Sequence, residues 1–150
     1  MCGACAVLAA SLVPVQPAHA LGKPSIVSFQ AAPPGGVSLV GAGRAAPIYV
    51  DPAEHAGVLR AAADLQGDIE KVGSVRPVLD KSTLPRGTDV VIVGTLGRSA
   101  LVDRLVASGK LDVSGIKGKW EGYLVQTVNQ PMPGVERALV VVGSDTRGAI

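Results

Sequence analysis

Gly143-Ser-Asp-Thr-Arg-Gly148 places a carboxylate and a guanidinium two positions apart, in a turn that follows an apolar run. Asp145 is suited to cap a helix start and Arg147 to pair with a carboxylate, both at one edge of a sheet. That makes Gly143, Ser144, Asp145, Arg147 and Gly148 a candidate substrate contact, although capping alone accounts for Asp145. Val93-Gly-Thr-Leu-Gly-Arg-Ser99 is a second turn of this kind, joining a strand to a helix. Amides at such a helix start attract anions. A phosphate loop, however, needs four residues between its glycines and a lysine after the second. Here there are two, followed by Arg98, so a tight turn without a ligand is expected.

The remaining chemistry-bearing residues are isolated. Gly41-Ala-Gly-Arg-Ala-Ala46 matches the dinucleotide fingerprint in letters, but Pro47 and a strand follow where that motif needs a helix. It is read as a turn. His55 is expected on the surface in the first turn of the first helix, with no serine elbow to accompany it. Cys2 and Cys5 form a lone Cys-x-x-Cys within an uncharged leader, so no disulfide and no zinc ligand set is expected in the mature chain. No catalytic residue, cofactor site or metal site is assigned.

The elements that position these turns follow from periodicity. Ile26–Phe29 and Val37–Val40 suggest a hairpin around Pro33-Pro-Gly-Gly36, and Pro47–Val50 a third strand. Asp51, Pro52 and Glu54 have the spacing of a capping box for a helix. Its inner face would be Val58, Ala62, Leu65, Ile69 and Val72, and Gly73 its stop. Strands follow at Ser74–Leu79 and Asp89–Val93. A helix over about Arg98–Ser108 comes next, with Leu101, Val102, Leu105 and Val106 inward. Trp120–Val128 alternates as a strand, and Ala138–Val142 reads as a strand buried on both faces. The order predicts an α+β fold, a mixed sheet with two or three helices packed on one face.

Composition narrows the function classes. The chain has 150 residues, 47% hydrophobic and 17% charged, with a net charge of +2. Its basic residues are scattered, so no nucleic-acid partner is expected. Aromatics make up 3% of the chain, which argues against a sugar cleft built by this piece alone. Residues 1–20 lack Lys, Arg, Asp and Glu and end Ala18-His-Ala20, the pattern of a secretory signal cleaved after Ala20. The expected location is periplasmic or extracellular, with no membrane attachment after cleavage. At the other end, a strand leads into a capped helix start and the chain stops, as a fragment of a larger protein would. The expected organisation is a signal peptide (1–20), a loop- and strand-rich segment (21–46) and an α+β domain (47–150) incomplete at its C-terminus.

Four segments together resemble the N-terminal region of glycoside hydrolase family 115: Ile48–His55, Val90–Ser99, Lys117–Tyr123 and Val140–Gly148. The resemblance covers roughly Pro47 to Ile150. It implies an α+β domain similar to the second domain of β-hexosaminidases, preceding a (β/α)₈ barrel. It also implies inverting removal of glucuronic acid, or its 4-O-methyl form, from xylan by two carboxyl groups. Those groups belong to the barrel, so none is carried onto this chain. Glucuronoxylan or its oligosaccharides would be engaged through the missing catalytic domain, and the Gly143–Gly148 turn becomes the expected edge of the cleft. The alternative is a free-standing periplasmic binding or scaffold domain.

Overall fold

A computed structural model of the chain describes residues 27–30 and 32–150. The expected leader, both cysteines and the start of the loop-rich segment lie outside the described residues. A small hairpin, β1 (Val40–Gly41) and β2 (Arg44–Ala45), precedes strand β3 (Ile48–Val50). Helix α1 (Ala56–Gly73) leads to β4 (Leu79–Asp80), and β5 (Gly87–Thr95) to helix α2 (Ala100–Ala107). Strands β6 (Tyr123–Asn129) and β7 (Val135–Gly143) complete the order.

The main sheet has five strands in the order β4-β3-β5-β7-β6. It is mixed: β3 runs parallel to β4 and β5, and β5 parallel to β7, while β6 is antiparallel to β7. The expected α+β fold with a mixed sheet is therefore present. The helices, however, lie on opposite faces. Ile48, Val50, Val91 and Val93 pack with Val58, Ala62 and Ile69 of α1. Val90, Ile92, Val140 and Val142 pack with Leu101, Val102 and Leu105 of α2. Strand handedness explains this. From β3 the chain steps through α1 to β4 on one side, and from β5 it steps through α2 toward β7 on the other. Right-handed crossovers in opposite directions put their helices on opposite faces.

The hairpin sits one turn later than Pro33–Gly36 suggests. Pro34 and Gly35 make a turn closed by the Gly36 amide on the Pro33 carbonyl at 2.8 Å. Proline fixes a negative φ, so it is unsuited to the mirror-type turn that two twisted strands require. Ala42 and Gly43, at φ 49° and 70°, provide it. The G-x-G-x-x-A letters therefore encode this turn, as read from the sequence. Helix α1 ends at Gly73 as expected, but Val72 is exposed. The last-turn contact is made by Gly73 itself, where a Cβ would meet the Val40 methyls.

Ala138, Val140 and Val142 are fully buried, whereas Leu139 and Val141 are only partly covered. Strand β7 is thus covered completely on the α2 face and incompletely on the α1 face, where Val125 of β6 also remains exposed. The segment after α2 fills the first face: Leu111, Val113 and Ile116 join that core.

Candidate functional site

Parallel strands deliver their C-terminal ends to one edge, and the neighbouring pair β3 and β5 send their helices to opposite sides there. Such a switch point is where open α/β sheets bind ligands. In this chain it is filled from within. Asp51, at the end of β3, accepts the Ala53 amide on one oxygen (2.9 Å) and the Ala100 amide on the other (3.1 Å). Glu54 accepts the Thr95 amide at 2.6 Å. Asp51, Glu54, Thr95 and Ser99 are all buried.

This corrects the expected capping box. Helix α1 begins at Ala56 behind His55, which is half-buried and makes no side-chain cap. Of the two acids expected to cap α1, Asp51 keeps one oxygen on the local Ala53 amide, while its other oxygen and Glu54 satisfy amides of the β5–α2 connection. An unpaired buried amide there would cost about 1–3 kcal/mol, a strong draw on any nearby carboxylate. Helix α2 starts at Ala100, later than Arg98, with Ser99 accepting the Val102 amide. Within the same turn the Gly97 amide goes to Asp103. Gly94 lies so close to α2 that a Cβ would stand 2.7 Å from that of Ser99, and Gly97 holds φ +74°. These glycines serve packing and turning. The amides of Gly97, Ala100 and Val102 are all bonded to side chains of this chain. Glu54 Oε2 and Thr95 Oγ1 have no hydrogen-bond partner among the described residues.

The second cluster contains every residue singled out after β7. Ser144 donates its amide to the Gly122 carbonyl (2.8 Å) and accepts the Gly122 amide on its hydroxyl (2.9 Å). Asp145 accepts the Glu121 amide on one oxygen and the Gly148 amide on the other, both at 2.8 Å. Arg147 donates to Glu121 at 2.9 Å. Gly148 fits because a Cβ there would collide with the Gly122 carbonyl, and one at Gly143 would collide with the backbone of Gly148 and Ala149. The Asp145 carboxylate thus caps a short helical turn, closed by the Ala149 amide on the Asp145 carbonyl (3.2 Å). It also staples the turn to the loop before β6.

Gly143, Ser144, Asp145, Arg147 and Gly148 are brought together, but with their polar groups directed at Glu121 and Gly122 of this chain. Sequence reading missed both partners. The signal available was Trp120-Glu-Gly122, a non-strand tripeptide that alternation had absorbed into β6. Trp120 lies in the turn before that strand, and Glu121 takes φ +53°.

Hydrogen bonds from the Glu121 and Gly148 amides hold the Asp145 carboxyl below its ordinary range. Arg147, and then the Trp120 indole, do the same for Glu121. Carboxyls lowered by folding contribute stability that is complete above their unfolded pKa values, about 3.9 and 4.3. That contribution disappears as pH falls through the folded values. The staple should therefore hold from neutrality down to about pH 4 and loosen below it. Trp120, the chain's one tryptophan, reports this directly through its emission. An Asp145→Asn variant should show a weakened acid transition, and an unchanged one would refute the assignment.

Two shallow grooves lie at the opposite end of the sheet, around Lys110, Met132 and Pro133. Their only charged side chains are Glu136, Arg104 and Lys110, the last bound to the Gln130 carbonyl. Among the described residues, no group of three or more His, Cys, Asp or Glu is placed to hold a metal ion.

No protein-family model matches the chain, and no curated protein matches it. Among solved structures it is similar to a family GH115 4-O-methyl-α-glucuronidase with specificity for decorated arabinogalactans. The TM-score is 0.52 and the identity 28%, over 69% of this chain and 12% of that one. The chain is thus structurally related to a carbohydrate hydrolase of that family, and spans a small part of its relative's length.

Proposed function

We propose that the chain is the N-terminal, non-catalytic domain of a secreted carbohydrate-active hydrolase resembling the α-glucuronidases of glycoside hydrolase family 115. The observation that carries the reading is the structural likeness, which takes in most of this chain and about an eighth of a glucuronidase. The site geometry agrees with it. Inverting hydrolysis needs one carboxyl to protonate the leaving oxygen and another to activate water. Both oxygens of Asp51 and of Asp145 are bonded to backbone amides, and Glu121 is paired with Arg147. These acids act as structural clamps. The Gly143–Gly148 turn would form one rigid edge of a cleft completed by a catalytic domain. Its substrate would be a glycan carrying glucuronic acid or the 4-O-methyl form, with xylan as the main chain. Residues 1–20 would direct export.

The purified chain should release no uronic acid from glucuronoxylan or from decorated arabinogalactan. Release above an Asp145→Ala control would overturn the non-catalytic assignment. Protein recovered after export should begin at Leu21 by N-terminal sequencing, and an intact Met1 there would refute processing after Ala20.

A further inference from the structure

Strand β6 forms one margin of the main sheet, with β7 on one side and no strand on the other among the described residues. The opposite margin, β4, is two residues long, whereas β6 runs for seven. Which backbone groups β6 leaves open follows from its register. The Ser144 amide donates to the Gly122 carbonyl (2.8 Å), and the Gln130 amide to the Glu136 carbonyl (2.6 Å). Both pairs continue the β6–β7 register, whose constant offset from Tyr123 to Asn129 leaves no bulge. Hydrogen-bonded and non-hydrogen-bonded pairs alternate along an antiparallel ladder. Leu124, Gln126 and Val128 therefore direct their amides and carbonyls to β7. Tyr123, Val125, Thr127 and Asn129 direct theirs to the open edge.

Sheets ordinarily guard such an edge with lysine, proline, a bulge or a covering segment. Strand β6 has none of the first three, and no charged residue occurs anywhere from Gly122 to Val135. Its open-edge residues also share the incompletely covered α1 face, where Tyr123 and Val125 are exposed beside partly buried Leu139 and Val141. The absence of charge selects the occupant. Such a strand has nothing to attract an acidic or basic peptide, and it meets no like charge when laid against itself. Its hydrogen-bonding pattern is self-complementary as well. Antiparallel pairing about Gln126 sets Val125 opposite Thr127 of a second copy, and Tyr123 opposite Asn129 of the second copy. Every outward residue then faces another outward residue. An axis at Val125 would set Asn129 against Glu121 of the second copy, whose amide Asp145 holds. One at Thr127 would set Tyr123 against Pro131 of the second copy, which has no amide.

We propose that β6 is a self-association edge: two copies of the chain pair β6 to β6, antiparallel about a twofold axis at Gln126. Their two five-stranded sheets then become one continuous sheet. Each facing pair of outward residues exchanges both of its hydrogen bonds. The contact is isologous, so it closes at two copies. A single strand pair is a small interface beside the roughly 1,200–2,000 Å² of stable complexes, so the dimer dissociates on dilution. The assignment goes beyond the leading-domain role and does not rest on it.

Sedimentation of the purified chain over a wide concentration range should show its mass rising from one chain to two, and no further. Thr127→Pro removes an amide that faces the open edge, a position at which edge strands tolerate proline. That variant should stay folded by circular dichroism and lose about tenfold in dimer affinity, the worth of two backbone hydrogen bonds at the axis. Val125→Lys, at a site that is already exposed, brings like charges together across the axis and should also weaken the dimer. Val72→Lys, exposed on α1, should leave it unchanged. Cross-linking reads the register. In a Cys2→Ser, Cys5→Ser background, Gln126→Cys sets two thiols at a non-hydrogen-bonded pair with Cα atoms about 4.5 Å apart, within disulfide reach. Air oxidation should join that variant into dimers and leave Asn129→Cys unjoined. A chain that stays monomeric at every concentration would overturn the proposal, as would a dimer that Thr127→Pro and Val125→Lys both leave intact. Equal cross-linking of Asn129→Cys would refute the axis at Gln126, and growth beyond two copies would refute a closed pair.

Discussion

Asp51→Ala should destabilise the chain by about 2–4 kcal/mol, a large part of the 5–15 kcal/mol that holds a domain folded. One carboxylate serves two places: the Ala53 amide in the turn before α1, and the Ala100 amide at the first residue of α2. Removing a capping side chain costs about 0.5–2 kcal/mol, and a hydrogen bond to a charged group contributes about 1.5–3 kcal/mol. The loss should appear as a lower urea midpoint with an unchanged slope, as expected when stability alone changes. Asp51→Asn keeps one acceptor oxygen and should fall between the two. Asp64 provides the comparison, because its ion pair with Arg60 is long (3.9 Å) and highly exposed. Such a pair contributes about 0–1 kcal/mol. If Asp51→Ala shifts the midpoint no more than Asp64→Ala, the carboxylate is not the clamp between β3 and α2.

Gly148→Val should break the staple. Its Cβ would be forced against the Gly122 carbonyl, a backbone atom that cannot swing aside as a flexible side chain would. Relief requires the 121–122 backbone to withdraw, which loosens the Ser144–Gly122 pair and the Asp145–Glu121 bond together. Overpacking of this kind costs about 1–3 kcal/mol. Trp120 directly precedes Glu121, whose amide and carboxylate are fixed by Asp145 and Arg147, so its surroundings report the state of the staple. The tryptophan emission should move toward that of a freely solvated indole, and acid should no longer alter it. Gly115→Val is the matched control: nothing lies within 4 Å of a Cβ there, and a surface change of that kind stays within about 0.5 kcal/mol. A Gly148→Val chain with wild-type emission and midpoint would show that the two loops are not coupled.

A cross-strand ion pair shows what local reading could not reach. Asp89 of β5 and Arg137 of β7 lie opposite one another in register, bonded at 2.7 and 3.1 Å. Each residue is plain in the sequence, at the start of a strand that β-branched runs announce. Their pairing depends on β7 being placed beside β5 although α2 and β6 intervene. The 117–122 loop is the same case. Its Glu121 is 24 residues from Asp145, and nothing in either segment names the other.

What the sequence determined by itself was the identity of the elements. Val90–Val93 and Ala138–Val142 are apolar and β-branched, which suits a strand covered by packing, and the Val58–Ile69 spacing suits only a helix face. These are properties of consecutive residues, so they survive without a tertiary context. The tertiary structure decided which amide each carboxylate serves and which face each helix covers. Asp51 and Glu54 read as a local cap, yet amides brought close by the pairing of β3 with β5 outcompeted the first turn of α1. Carboxylates go to the buried donor that would otherwise be unpaired, and that donor exists only once the strands have been ordered. Strand order, with the right-handed crossover, also set the two helices on opposite faces.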